Sequence, residues 1–161
     1  MGPIGPNGPT GGLALPQVRV FKTAPQLLEN AIEEPVVFEA ERWDFPGFFT
    51  GPSADLVVPI GLAGLYEIGA ELFIAGTTPG LFGARLVITR GLMQIEIASD
   101  SDDTSGGGNI VRLHLYSQYQ LLDGDIVQVL VTNLSGTFAT ISPEPGARSE
   151  LFMIRVSDSL P

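Results

Sequence analysis

From residue 17 onward, hydrophobic and polar positions alternate with a period of two over one segment after another. Residues 64–74 are the clearest case: Tyr66, Ile68, Ala70, Leu72 and Ile74 fall on one face, and Leu65, Glu67, Gly69, Glu71 and Phe73 on the other. A period of two places alternate side chains on opposite faces of a pleated strand. Residues 84–90 repeat it, with Leu86 and Ile88 opposed to Arg85, Val87 and Thr89. In 109–120, Val111, Leu113 and Leu115 face away from Arg112, His114 and Tyr116. Residues 125–134 differ: Val127, Val129 and Val131 share one face, Ile126, Gln128 and Leu130 the other. A strand apolar on both faces is expected to be covered on both.

Weaker alternation predicts further strands at 18–22, 36–43, 94–98, 137–142 and 150–157, and a short one at 56–59. Turn residues punctuate them: Pro46-Gly47, Gly51-Pro52, Pro79-Gly80, Arg90-Gly91, Asp123-Gly124 and Pro145-Gly146. Residues 26–34, between Pro25 and Pro35, are long enough for two helical turns, but an extended or turn conformation is preferred. Ten short strands separated by regular turns predict an all-β sandwich or barrel.

The first sixteen residues follow another rule. Gly2-Pro3-Ile4, Gly5-Pro6-Asn7 and Gly8-Pro9-Thr10 precede Gly11, and Met1–Pro16 contains no charged residue. Glycine at every third position is required where three chains crowd one axis. Three triplets do not make an independently stable triple helix, so the segment is read as a collagen-like tail nucleated by the domain behind it. A flexible linker is the duller alternative. The expected division is residues 1–16 as tail and 17–161 as one domain. Gly2, Pro3, Gly5, Pro6, Gly8, Pro9 and Gly11 are then the candidate trimer and attachment residues.

Composition sharpens the picture. Of 161 residues 44% are hydrophobic and only 16% charged, with a mean hydropathy of +0.27. No apolar run reaches the roughly 18–20 residues that cross a bilayer, so the surplus apolar surface predicts a subunit interface. The formal net charge is −10, with eight basic residues and no basic cluster. That argues against nucleic acid and anionic membranes as partners. There is no cysteine, which excludes disulfides and thiolate sites. The N-terminus lacks a basic region, an apolar core and a small-residue cleavage site, so a route through an ordinary signal peptide is not expected.

Five landmarks line up in order: Val37-Phe38-Glu39-Ala40-Glu41-Arg42-Trp43-Asp44, Ala63-Gly64-Leu65-Tyr66-Glu67-Ile68, Ile88-Thr89-Arg90-Gly91, Leu121-Leu122-Asp123-Gly124-Asp125-Ile126-Val127 and Ser149-Glu150-Leu151-Phe152-Met153-Ile154. Over residues 17–158 the chain resembles the jelly-roll family of complement component one q heads and tumour necrosis factor. The marks are the Gly-x-Tyr strand, the Gly-Asp-x-Val strand opening and the closing Ser-x-x-Phe strand. The resemblance implies a ten-stranded, two-sheet jelly roll that assembles as a trimer with collagen-like stalks on its axis. It is similar to the version in bacterial and bacteriophage surface proteins. Lacking a signal peptide and cysteines, the chain departs from animal secreted members.

Candidate chemistry is sparse. His114, the single histidine, lies mid-strand between leucines with no Gly-x-Ser-x-Gly elbow in the chain, so a surface-strand role is preferred over a catalytic triad. Asp100, Asp102 and Asp103 suggest a calcium loop, but the EF-hand spacing fails: glycine comes one place late and Val111 stands where glutamate is needed. A solvated hairpin tip is the alternative. Gly106-Gly107-Gly108 lacks the Gly-Lys-Ser/Thr of a phosphate loop. Glu39 and Glu41 share a strand face, which is more often a solvated stripe than an acid–base pair. Trp43, Phe45, Phe48 and Phe49 surround Pro46-Gly47; packing onto the sandwich edge or a neighbouring subunit is preferred, with a surface platform binding carbohydrate or protein as the alternative. No enzyme, cofactor or metal is expected. The expectation is a structural protein of a bacteriophage virion: a homotrimeric capsid decoration, head-fibre or spike-like module on the virion surface, attached to a shell protein by its tail. The alternative is a bacterial spore or cell-surface module recognising a glycan or protein receptor.

Overall fold

In the computed structural model the described residues are 15–76, 78–104, 110–143 and 148–158. They form two antiparallel sheets packed face to face, with no helix among them. The strands are β1 (Gln17–Phe21), β2 (Gln26–Leu28), β3 (Glu33–Pro35), β4 (Ala40–Phe45), β5 (Leu56–Val57), β6 (Gly64–Gly76), β7 (Leu81–Arg90), β8 (Met93–Asp103), β9 (Ile110–Leu121), β10 (Ile126–Leu134), β11 (Ala139–Ile141) and β12 (Glu150–Ser157). One sheet has seven strands: β6 pairs with β9 along one edge and with β12 and then β11 along the other, β1 and β4 follow β12, and β2 follows β11. The other has five, in the order β8, β7, β10, with β3 and β5 both on the far edge of β10.

The inward faces are the alternating sets read from the sequence. Val18 and Val20 of β1, Ile68 and Leu72 of β6, Leu113 of β9, and Leu151 and Met153 of β12 meet Leu86 and Ile88 of β7 and Val127 and Val129 of β10 in one continuous core. On the outward face of β10, Leu130 is buried as well, in keeping with its two-sided pattern. The expected ten strands become twelve because residues 26–34, read as extended, supply β2 and part of β3. The strand expected at 36–43 instead lies at Ala40–Phe45. Asp100, Asp102 and Asp103 are not a hairpin tip: they lie within β8, paired with Ala84, Phe82 and Leu81. The tail residues from Gly2 to Gly11 lie outside the described residues.

One pole of the sandwich is tied together by carboxylates. Asp123 accepts the backbone N–H groups of Gly61, Leu62 and Ala63 at 2.8, 3.1 and 2.8 Å. Asp125, itself buried, accepts Arg90 Nε and Nη2 and the N–H of Leu122. Tyr66 donates to the Leu62 carbonyl at 2.6 Å, and burial pushes its phenol up to about 12. The N–H of Arg155 donates to Pro16 at 2.9 Å, so the chain enters β1 at this same pole.

The Asp123 carboxyl is held below its ordinary value, chiefly by the Gly61 N–H and then by those of Ala63 and Leu62. A group whose pKa falls on folding contributes stability above its unfolded value and loses it as pH falls through the folded one. The protection of the Gly61–Ala63 amides against exchange is therefore expected to be constant above about pH 4 and to fall below it. Asp123→Asn should show reduced protection at neutral pH and lack this acid step, which amide exchange followed by NMR will measure.

Candidate functional site

The outward face of the seven-stranded sheet is built in rows, because antiparallel register sets residues of neighbouring strands side by side. One row runs Trp43 (β4), Arg19 (β1), Phe152 (β12), Gly69 (β6), Tyr116 (β9). The Arg19 guanidinium lies 5.5 Å from the Trp43 ring centroid. The Phe152 ring lies over Gly69: a Cβ built on that glycine would come within 2.6 Å of two ring carbons. Glycine here is what lets the ring lie flat on the β6 backbone. Tyr116 ends the row 58% exposed.

The next row runs Phe21, Glu150, Glu71, His114 and is charged. Arg19 Nε pairs with Glu150 and Arg112 with Glu71. Arg42 lies 3.9 Å from Glu150, and His114 Nε2 lies 3.8 Å from Glu71. On the opposite side of the aromatic row Ile154 pairs across to Glu67, whose carboxylate accepts Gln118 Nε2 at 3.0 Å. Arg19, Phe152, Tyr116, Glu71, His114 and Glu150 border a depression of about 250 Å³. The face therefore combines a stripe of large, low-entropy aromatic surface with a border of mutually neutralised charges. A protein–protein interface has this anatomy, with an apolar centre and a polar rim.

The four candidate aromatics are not one platform. Phe48 is 2% exposed and packs edge-on against Tyr66 in the core, their centroids 6.0 Å apart. Phe49 is half-buried against the same core and touches Gly51. Asp44 fixes this turn by accepting the N–H groups of both, at 2.8 and 3.0 Å. Trp43, 37% exposed, and Phe45 remain at the surface, and only Trp43 shares a row with other aromatics. His114 stands on the outward face of β9, on the same side as Arg112 and Tyr116. Among the described residues no group of three or more histidine, aspartate or glutamate side chains is placed to hold a metal ion.

The architecture can now be compared with known proteins. No family model matches the sequence, and no curated protein does. Solved structures do. Murine APRIL at pH 5.0 superposes with a TM-score of 0.66 at 11% identity, over 89% of this chain and 100% of that one. The globular domain of zebrafish complement 1qA superposes with a TM-score of 0.57 at 17% identity, over 88% of this chain and 96% of that one. The fold is the tumour necrosis factor and complement one q jelly roll. At these identities the likeness concerns the fold.

Within this jelly roll, sequence reading does not show which residues make up the candidate interaction face. The signal was present at Leu151-Phe152-Met153-Ile154, an apolar run without alternation that marks a strand covered on both faces, as at 125–134. Gly69 was invisible as a functional residue, since only the cross-strand register shows that it lies under an aromatic ring.

Proposed function

We propose that the chain forms the head of a homotrimeric surface module, and more narrowly a structural protein of a bacteriophage virion, held to the particle by its Gly-Pro tail. The observation that carries the trimer is the aromatic row across the seven-stranded sheet. Trp43, Phe152 and Tyr116 lie in register on an outward face where Arg19 pairs with Glu150 and Arg112 with Glu71, so a second copy covers those four charges without separating them from their partners. The resemblance to a family whose members assemble in threes supports the same count, as does the excess of hydrophobic residues in a chain of net charge −10.

The polarity of the head supports attachment by the tail. The pole where the chain enters β1 bears Ile60, which is 93% exposed, with Leu92 and Leu122 also at the surface, while its carboxylates are occupied by backbone amides and Arg90. The opposite part carries Glu29, Glu33, Asp102 and Asp103. A base with exposed apolar side chains near the start of β1 and a crown bearing carboxylates suit a module seated on a particle and facing water. The alternative, a spore or cell-surface binding module, shares the trimer and differs in location.

Two measurements test the reading. Sedimentation of the full chain should give three times the 17.0 kDa subunit mass at micromolar concentration, and a stable single subunit would refute the assembly. Density-gradient fractionation of material from the producing cells should place the protein with DNA-filled particles. Recovery with spores or cell envelopes instead would overturn the virion assignment and leave the trimer standing.

A further inference from the structure

The sheet turned away from the proposed trimer face has a feature that assembly does not use. Gly83 lies inside the ten-residue strand β7, with Thr132 of β10 on one side and Ser101 of β8 on the other. Glycine weakens a strand interior and is kept there for a bulge, a bend or the close approach of another molecule. None of the first reasons holds at Gly83. Its backbone is not in the left-handed region, the β7–β8 register runs unbroken past it, and a Cβ there would meet only the Asp100 carbonyl oxygen, at 3.9 Å. A larger side chain has room, and its absence leaves the floor of an open groove of about 490 Å³.

The walls are of two kinds. At one end Leu81 and Leu134, paired across β7 and β10, form an aliphatic edge about half exposed. At the other, Arg85 is locked between two carboxylates: Nε and Nη2 donate to Glu33 at 2.8 and 2.6 Å, and Nη1 to Glu96 at 3.2 Å. A guanidinium has five N–H donors, so two remain, already oriented. Ser101 and Thr132 lie between these ends on either side of Gly83, and Ser99 lies beside Arg85.

We propose that this groove binds a neutral saccharide. A sugar ring presents an apolar C–H surface, for which Leu81 and Leu134 are placed, and adjacent hydroxyls, which suit fixed pairs of donors and acceptors. The charges select against the alternatives. Glu33 and Glu96 give the groove an acidic field that repels sulfated or sialylated ligands. The same field would favour a cation, so a diamine is the competing ligand class; Glu33 and Glu96 are already engaged by Arg85, and Asp100 by the N–H groups of Ser101 and His114, which leaves that competitor no unpartnered carboxylate. The groove lies on the five-stranded sheet and is complete within one subunit, so the site does not depend on the trimer.

The test is NMR titration of the full chain with galactose, mannose, glucose and N-acetylglucosamine, with N-acetylneuraminic acid and putrescine as charged comparators. At least one neutral sugar should shift the amides of Gly83, Ser101 and Thr132 with a millimolar Kd. Gly83→Val, which fills the floor with a strand-forming side chain, should weaken binding by at least about tenfold while melting as a folded protein. Thr132→Val, which keeps the shape and removes one hydroxyl, should weaken it severalfold and carries the test if the first variant does not fold. Absence of shifts with every neutral sugar overturns the site. Unchanged affinity in both variants overturns its location, and tighter binding of putrescine or N-acetylneuraminic acid overturns the ligand class.

Discussion

Phe152→Glu is expected to leave a folded single subunit in place of the proposed trimer. Phe152 sits in the middle of the aromatic row, its ring against Gly69 and between Arg19 and Tyr116 in register. Its outward position leaves the core, held by its neighbours Leu151 and Met153, untouched. Fully burying a phenylalanine is worth about 1.5–3 kcal/mol, and three subunits lose it together. The carboxylate put in its place also lies beside Glu150 and competes with it for Arg19, and burying the carboxylate left without a cation costs several further kcal/mol. Together these exceed what a non-covalent assembly at micromolar concentration, about 8 kcal/mol per association step, can lose. Sedimentation should show one subunit with an unchanged far-ultraviolet circular dichroism spectrum. A variant that sediments as three would show that the subunits meet through another surface.

Lys22→Met is expected to lower the melting temperature by about 10 °C, from a loss of about 3 kcal/mol. Lys22 is the chain's single lysine and has no exposed surface. Its Nζ donates to the Val37 carbonyl at 2.6 Å and to Glu39 Oε1 at 2.9 Å, with Gln26 Oε1 at 3.4 Å. Glu39 in turn accepts the N–H groups of Thr23 and Ala24, and Gln26 bridges Val37 and Pro35. One ammonium thus gathers the excursion between β1 and β4. Methionine fills the space but takes the donor from the Val37 carbonyl and the cation from Glu39, whose charge then has only the Thr23 and Ala24 N–H groups. The double variant Lys22→Met/Glu39→Gln should recover part of the loss, because the orphaned charge is gone. Equal melting of the single variant and the parent would show that the ammonium contributes nothing net.

Most of the sandwich was legible because one side chain in two points inward, and Val111, Leu113 and Leu115 or Leu86 and Ile88 announce that choice without help. Two kinds of residue escaped. Lys22 continues the inward register of Val18 and Val20, so alternation alone puts it in the core. Its charge argues for the surface, and only partners from residues 26–39 reconcile the two. Phe48 and Phe49 were grouped with Trp43 by proximity in sequence, yet the turn held by Asp44 sends Phe48 to the core while β4 keeps Trp43 outside. The proposed interaction face was legible as a surplus of apolar residues but not as a location. Its row draws one residue each from five strands, and sequence does not state their register.

The position of β1 also governs how the head bears a load. The strand lies between β12 and β4, paired through five residues on each side, and the chain leaves it at the pole from which the tail departs. Tension applied through that lead runs along the strand axis, so it shears both ladders at once and never peels one rung at a time. A head held through that lead, as proposed, would resist extraction of the strand, because both ladders must yield together.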